Sequence, residues 1–238
     1  MKELLKKIIK SIPIAFTRNQ QYDAQTHKVI QRICVSDSSC IDVGCHKGEV
    51  LDIFLKYAPK GIHYGFEPIP DMHKALKAKY AGINTKISDI ALSNETGTTT
   101  FNYVVSNPAY SGLIKRKYDR ESEIDTQITV SVDKLDNLVP SDTAIKLIKI
   151  DVEGGELLVL EGARDLIRNQ KPYIIFEHGL GASEFYGSTP AKVFELLTGL
   201  GLKISTMKDW LANRKEFSLP EFERQYNNKI NYYFIAYP

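Results

Sequence analysis

The segment CIDVGCHKGE at positions 40–49 constrains the fold of this chain more than any other segment. Two apolar residues typical of a strand flank Asp42, and Gly44 and Gly48 bracket a turn that is too tight for most side chains. The apolar residues that follow have the spacing of one helix face and are Val50, Ile53, Phe54 and Tyr57. This order of strand, glycine turn and helix predicts an α/β unit that could bind a nucleotide-like ligand at the helix N-terminus.

The spacing of the glycines helps to distinguish two ligands that use this geometry. Dinucleotide sites favour the pattern G-x-G-x-x-G, in which the middle glycine lets the pyrophosphate approach the backbone, and His46 occupies that position here. S-adenosylmethionine carries no phosphate, and its positive ammonium group would be attracted to Asp42. The pattern therefore favours S-adenosylmethionine, although ordinary strand-to-helix turns also contain it. The residues of this turn predicted to contact the cofactor are Asp42, Gly44, Cys45, His46 and Gly48.

Length and composition indicate a single α/β domain. The 238 residues suit one domain at 31–238, preceded by an amphipathic helix and lead-in at 1–30. The formal net charge of +2 gives no global basic field, so we expect no nucleic-acid partner. The cysteines, Cys34, Cys40 and Cys45, form no C-x-x-C pair and are predicted to be reduced structural thiols, which suits a cytoplasmic protein.

Residues 1–16 have the pattern of a basic amphipathic helix, with leucines and isoleucines at helical spacing between lysines. The segment is too short to span a bilayer. Packing of its apolar face on the domain is the preferred interpretation, because helices of soluble proteins show the same pattern. Peripheral contact with a membrane surface is the alternative.

A second short strand, in the segment GIHYGFEP at 61–68, ends in an acid. Glu67 follows Gly48 at close to the ~20-residue interval that places an acid on the ribose hydroxyls in nucleotide-binding βαβ units. We therefore expect Glu67 and Pro68 to contact the cofactor. A third strand at 84–90 should bring further cofactor contacts to the adenine edge, through Asp89 and Ile90, although an acid in a turn is more often only a local cap.

Two β-rich runs at 98–105 and 127–132 have no strong helix between them and predict an inserted antiparallel hairpin. The polar segment between them, 106–123, is longer than most loops, which indicates a functional segment or a disordered one. We interpret it as a lid over the acceptor. The side chains of this lid predicted to bind the acceptor are Asn107, Tyr110, Ser111 and Lys115.

Polar residues also follow two later strands, at the edge where open sheets bind ligands. A strand at 145–150 precedes Asp151 and Glu153, and the next strand precedes Glu177 and His178. Last come a short strand at 202–206 and an aromatic strand at 231–237, which we expect to pair as an antiparallel hairpin at the sheet edge.

These strand ends supply the candidate catalytic groups. His178 has the ordinary pKa best suited to a base at neutral pH, although it could equally be satisfied by the backbone. Asp151 and Glu153 are the other catalytic candidates, Asp151 could instead orient the cofactor amine, and Glu177 is predicted to bind the acceptor. The same acids with His178 could hold a divalent ion, but no spacing demands one.

Taken together, these motifs resemble the FkbM-type methyltransferases, a branch of the class I S-adenosylmethionine-dependent fold. The resemblance covers roughly residues 38–206. It rests on IDVG at 41–44 with Gly48, GFEP at 65–68, ALS at 91–93 with Gly97, LDNL at 135–138, IKIDVEGGE at 148–156 and LEGA at 160–163. The pair His46 and Lys47 departs from the family, which more often has a small or amide residue there.

The resemblance implies a seven-stranded sheet with an antiparallel last strand, helices on both faces, and methyl transfer from S-adenosylmethionine, usually to a hydroxyl. The expected acceptor is a saccharide, a lipid or lipid-linked compound, or another small molecule. Two other functions stay open: a nicotinamide-dependent oxidoreductase, and a membrane-associated module that binds S-adenosylmethionine without turnover.

Overall fold

The computed structural model describes residues 17–118 and 122–238. The helix expected over residues 1–16 lies outside these ranges. Within them the strands are β1 (Ser39–Val43), β2 (His63–Phe66), β3 (Thr85–Ser88), β4 (Ala91–Leu92), β5 (Gly97–Val104), β6 (Asp125–Asp133), β7 (Ile145–Ile150), β8 (Tyr173–Glu177), β9 (Lys203–Ser205) and β10 (Tyr233–Tyr237). The helices are α1 (Arg18–Ile33), α2 (Glu49–Tyr57), α3 (Pro70–Lys79), α4 (Leu135–Leu138), α5 (Glu156–Glu161), α6 (Arg164–Gln170), α7 (Pro190–Gly199), α8 (Met207–Leu211) and α9 (Leu219–Asn227).

Seven of these strands form one sheet in the order β3-β2-β1-β7-β8-β10-β9. The first five strands of this order pair in parallel, whereas β10 is antiparallel to both of its neighbours. The prediction of a class I methyltransferase sheet with an antiparallel last strand is therefore confirmed. The expected antiparallel pairing of the last two strands at the sheet edge is also present, with β10 between β8 and β9. The two strands do not form a hairpin, however, because α8 and α9 separate them along the chain.

Apolar side chains cover both faces of this sheet because alternate residues of each buried strand point to opposite sides. On one face, Ile148 and Ile150 of β7 pack with Leu160 of α5 and Phe222 of α9. On the other face, Leu147 of β7 belongs to a second cluster, to which α1, α2 and α3 contribute. These two layers fix the carboxyl ends of β1, β2 and β7 relative to one another.

Helix α1 belongs to this core. Its residues Val29, Ile30 and Ile33 are buried, and a capping box formed by Thr17 and Gln20 starts the helix. The domain boundary expected at residue 30 therefore falls inside a packed helix. No helix in the described ranges combines the length and the apolar content required to span a membrane.

The expected hairpin is present as β5 and β6, which pair in antiparallel fashion from Gly97 with Val132 to Val104 with Asp125. The two-residue strand β4 adds to β6 in parallel, which makes a separate three-stranded sheet. A small cluster that includes Ile69 and Phe101 is buried beneath this sheet. The insertion thereby holds the segment between β5 and β6 near the carboxyl edge of the main sheet.

Candidate active site

A cavity of about 510 Å³ lies at the carboxyl ends of β1, β2 and β7. Its volume is within the range typical of small-molecule sites. Helix α1 and the segment between β5 and β6 form further parts of its wall. The lining residues from these two elements are Tyr22, Asp23 and Thr26, and Pro108, Ala109, Ser111 and Leu113.

The glycine turn after β1 forms one side of this cavity. Gly44 has φ +76°, and a Cβ atom at this position would lie 1.9 Å from the backbone oxygen of Asp151. Only glycine therefore allows the turn to pack directly on the end of β7. Gly48 has a similar φ of +79° but packs against the hydroxyl of Tyr80 rather than lining the cavity, so its role is to start α2.

Two buried carboxyl groups, those of Asp42 and Glu67, lie beside this turn. Burial raises the pKa of Asp42 to about 7, although nearby Lys149 opposes the shift. Glu67 accepts hydrogen bonds from the backbone N–H groups of His46, at 2.9 Å, and Ile69, at 3.1 Å. Burial raises the pKa of Glu67 to about 7 as well, against the effect of these bonds. Each Glu67 oxygen retains a lone pair that could accept from a ligand hydroxyl.

A second group of carboxylates lies at the ends of β7 and β8. Asp151, Glu153 and Glu177 each offer an oxygen within 4.8 Å of the other two. Lys149 donates to Asp151 Oδ2 at 2.9 Å, and the Tyr233 hydroxyl donates to the same oxygen. Burial alone would raise the pKa of Asp151, but Lys149 and these hydrogen bonds outweigh it, so that the pKa lies below its usual value.

Glu153 lies in a different environment from Asp151. It has a left-handed φ of +58° and forms an ion pair with Arg116 from the segment between β5 and β6. Burial and the charge of Asp151 raise the pKa of Glu153 to about 8, while Arg116 opposes this rise. The turn that carries Glu153 is fixed by Glu156, whose Oε1 accepts from the backbone N–H groups of Val152 and Gly154.

The structure brings together ten of the predicted site residues. Those that line the cavity are Asp42, Gly44, Cys45, His46, Glu67, Pro68, Ile90, Ser111, Asp151 and Glu153. Those outside the lining are Gly48, Asp89, Asn107, Tyr110, Lys115, Glu177 and His178. Asp89 is exposed, and Lys115 points outward to an ion pair with Asp125 at 2.7 Å. Glu177 hydrogen-bonds to Asp151, and burial raises its pKa well above its usual value.

His178 does not support the role of base that the sequence suggests. Its side chain is buried against Tyr226 and Phe222, with ring centroids at 4.7 and 5.8 Å. Neither ring nitrogen has a hydrogen-bond partner within 17–118 and 122–238, and burial lowers the pKa of His178 to about 4. A group that is neutral but faces an aromatic cluster cannot reach an acceptor in the cavity.

The acids that could hold a divalent ion are Asp151, Glu153 and Glu177, without His178. Asp151 and Glu153 are already paired with Lys149 and Arg116, respectively. A metal ion would have to displace one of these cationic side chains. We therefore assign no metal to this cluster.

Several lining residues are missing from the site residues predicted from the sequence. They are Tyr22, Asp23 and Thr26 of α1, Lys149 of β7, Tyr186, and Tyr233 of β10. Lys149 carries the clearest signal, because it is a charged residue deep in a central strand whose other residues, apart from exposed Lys146, are apolar. The others reach the cavity through packing between elements that are distant in sequence.

Among solved structures compared with this chain, an FkbM methyltransferase supports this architecture. The crystal structure of an FkbM methyltransferase from Methylobacillus flagellatus KT has a TM-score of 0.53 and 14% identity, over 86% of this chain and 44% of that protein. This chain therefore spans less than half of that relative. A putative rRNA methylase from Clostridium thermocellum has a TM-score of 0.48 and 11% identity, over 90% of this chain and 93% of that protein.

Family assignment comes from the sequence. No match was found among curated proteins. The family model described as "Methyltransferase FkbM domain" matches residues 42–204, from the end of β1 to β9. Because this match extends over more than half of the 238 residues, the chain belongs to the FkbM methyltransferase family.

Proposed function

We propose that this protein transfers a methyl group from S-adenosylmethionine to a hydroxyl group of a small-molecule, glycan or lipid-linked acceptor, and that Glu153 takes the proton of that hydroxyl. Family membership supports the methyltransferase class. The observation that carries the proposal further is the contrast between Asp151 and Glu153, two residues apart on one turn. Their surroundings shift their pKa values in opposite directions, which is how neighbouring carboxyl groups take different roles in active sites.

The residues of the cavity fit S-adenosylmethionine. At Gly44 the backbone lies exposed to a ligand, because any side chain there would collide with the backbone at the end of β7. Glu67 can accept from ribose hydroxyls, and Pro68 and Ile90 offer apolar surface to the adenine. Asp42 and Asp151 provide negative charge for a cationic ligand. When bound, this cofactor would supply a methyl group that is already activated by its sulfonium.

The work left to the protein is to orient the acceptor and to remove a proton. Asp151 is held by Lys149 and Tyr233 and is suited to a fixed negative charge rather than to proton transfer. Glu153 lines the cavity and has a pKa of about 8, close to the neutral range in which general bases are most effective. Transfer should therefore become faster as the pH rises through about 8, because Glu153 must be ionised to accept the proton.

The test is transfer of radiolabelled methyl groups from S-adenosylmethionine to a panel of saccharides, lipids and small metabolites. Glu153→Gln should lower turnover by about 10²- to 10⁴-fold. Its affinity for S-adenosylmethionine should stay near that of the wild type. Glu95→Gln, at an exposed position, is the matched control and should keep wild-type turnover.

Three other outcomes would change the account. If Glu153→Gln is active and Asp151→Asn is inactive with the cofactor bound, Asp151 is the base. If the radiolabelled methyl group is found on amines, the accepting atom is nitrogen and not a hydroxyl oxygen. Binding of S-adenosylmethionine without transfer to any acceptor would favour the non-catalytic module.

A further inference from the structure

We propose that Arg116 is a positioning residue for Glu153: the segment between β5 and β6 delivers its guanidinium to Glu153, favours the ionised carboxylate and fixes the direction of that group into the cavity. The inference rests on the proposed function, because it concerns the group that would act as base. In this view the segment between β5 and β6 helps to position the base and does more than cover the cavity.

The first observation is that the Arg116 side chain is held by contacts with both a carboxylate and an aromatic ring. Its guanidinium pairs with Glu153, and the two side chains are only 13% and 19% exposed. The guanidinium also lies over the ring of Tyr110, 4.6 Å from its centroid, and that ring stacks on Tyr118 at 6.4 Å. An arginine held between an aromatic face and a carboxylate has few alternative rotamers.

The second observation is that the backbone on the N-terminal side of Arg116 is anchored. Asn102 and Gly112 exchange two backbone hydrogen bonds, at 2.8 and 3.1 Å. The backbone N–H of Ile114 donates to the Tyr186 hydroxyl at 3.0 Å. On the other side, the Tyr118 hydroxyl accepts from the Asn102 side chain. These contacts fix the segment on both sides of Arg116.

The third observation is the charge around Glu153. Asp151 on its own turn and Glu156 at the start of α5 disfavour its ionised form, and Glu177 of β8 has an oxygen within 4.8 Å of it. The cations near Glu153 are Lys149 and Arg116, and the Lys149 ammonium is already hydrogen-bonded to Asp151. Among the residues that the structure describes, Arg116 is therefore the cation that contacts the Glu153 carboxylate directly. Without it, a mostly buried carboxylate would face other acids.

The structure also supplies a matched control. Lys115 precedes Arg116 in the same segment but faces outward, where it pairs with Asp125 and is 57% exposed. Replacing Lys115 by an uncharged residue removes one positive charge from the segment and leaves the ion pair of Glu153 intact. A general effect of charge on the segment can thus be separated from a specific effect of Arg116.

The experiment is a ¹³C NMR titration of protein labelled at the glutamate side-chain carboxyl carbons, without cofactor or acceptor. The Glu153 signal is assigned as the one lost in Glu153→Gln. In Arg116→Met the midpoint of the Glu153 titration should rise by about one pH unit or more, because an opposite charge in contact has been removed. Arg116→Lys should restore most of the wild-type midpoint, and Lys115→Met should leave it unchanged.

An unchanged midpoint in Arg116→Met, or an equal rise in Lys115→Met, would overturn the inference. Arg116→Gln is a second variant without the charge, in case the Met variant does not fold, and thermal unfolding checks both. The titration needs no turnover, so it can succeed or fail independently of the methyl-transfer assay. If Glu153→Gln loses methyl transfer but Arg116→Met leaves the midpoint of the Glu153 titration unchanged, Glu153 remains the proposed base and Arg116 has no positioning role.

Discussion

At the residue scale, the site depends on left-handed backbone at a few positions. Gly44 has this conformation, and so do His46 and Glu153, at which side chains make it costly. His46 uses the conformation to direct its N–H to Glu67, and Glu153 to place its carboxyl group in the cavity. Strain of this kind often marks functional positions.

We predict that Gly44→Ala destabilises the protein severely and abolishes cofactor binding. The added Cβ would combine an unfavourable φ with a collision 1.9 Å from the Asp151 backbone oxygen. Gly82→Ala is a close control, because Gly82 has φ +75° and no atom within 4 Å of the added Cβ. The control should lose about 1 kcal/mol of unfolding free energy, and Gly44→Ala about 2 kcal/mol or more beyond that. Equal losses in chemical denaturation would show that the contact with β7 does not matter.

The residues of the cavity that could be predicted are those with a local signal. Asp42, Glu67, Asp151 and Glu153 follow apolar strands, and the carboxyl ends of parallel strands meet at one edge. Tyr22 and Tyr233 carry no such signal, because helix α1 and strand β10 reach the cavity only through long-range packing. Sequence patterns record local periodicity and not these contacts.

At the element scale, the direction of side chains at the end of β8 explains why His178 follows that strand as expected but does not line the cavity. Consecutive residues of an extended strand point to opposite sides. Glu177 faces Asp151, so His178 faces the aromatic cluster on α9. The sequence identified the strand end but not the direction of each side chain.

We predict that His178→Phe folds, keeps its affinity for S-adenosylmethionine and is more resistant to acid than the wild type. The pKa of His178 is lowered from 6.5 to about 4, so its contribution to stability is present above pH 6.5 and is lost as the pH falls toward 4. At pH 5 the wild type should have lost about 2 kcal/mol from this group, and the Phe variant should not lose it.

Thermal and denaturant unfolding at pH 7 and pH 5 measure this difference. His73→Phe, at a partly exposed position on α3, should retain the wild-type acid sensitivity. A Phe variant with wild-type acid sensitivity would contradict the assignment of His178 to the buried cluster. Loss of methyl transfer in a folded Phe variant would return His178 to the reaction.

The inserted segment was predicted as a lid, and part of it does line the cavity, but through different side chains. A 3₁₀ turn at Pro108–Tyr110 places Pro108 and Ala109 in the wall, together with Ser111 and Leu113. The polar residues expected inside, Asn107 and Lys115, lie outside the lining. The local turn, which polarity does not reveal, decides which side faces inward.

At the scale of the whole molecule, the site concentrates acidic groups in a protein of nearly balanced charge. The formal net charge is +2, yet Asp42, Glu67, Asp151 and Glu153 all line one cavity. Of these, Asp42, Glu67 and Glu153 have pKa values raised by burial to about 7, about 7 and about 8. A ligand that carries positive charge and hydroxyl donors should stabilise their ionised forms and so release protons on binding.

The most direct test is calorimetric titration of S-adenosylmethionine into the protein between pH 6 and pH 8, in buffers of different ionisation enthalpy. We predict one binding site, release of protons, and affinity that rises as the pH passes through about 7, because Glu67 and Asp42 must ionise. Glu67→Gln should weaken binding by about 1 to 3 kcal/mol and release fewer protons. NAD should not bind, because His46 occupies the position of the middle glycine. Absence of S-adenosylmethionine binding, unchanged affinity and proton release in Glu67→Gln, or binding of NAD in its place would contradict the account.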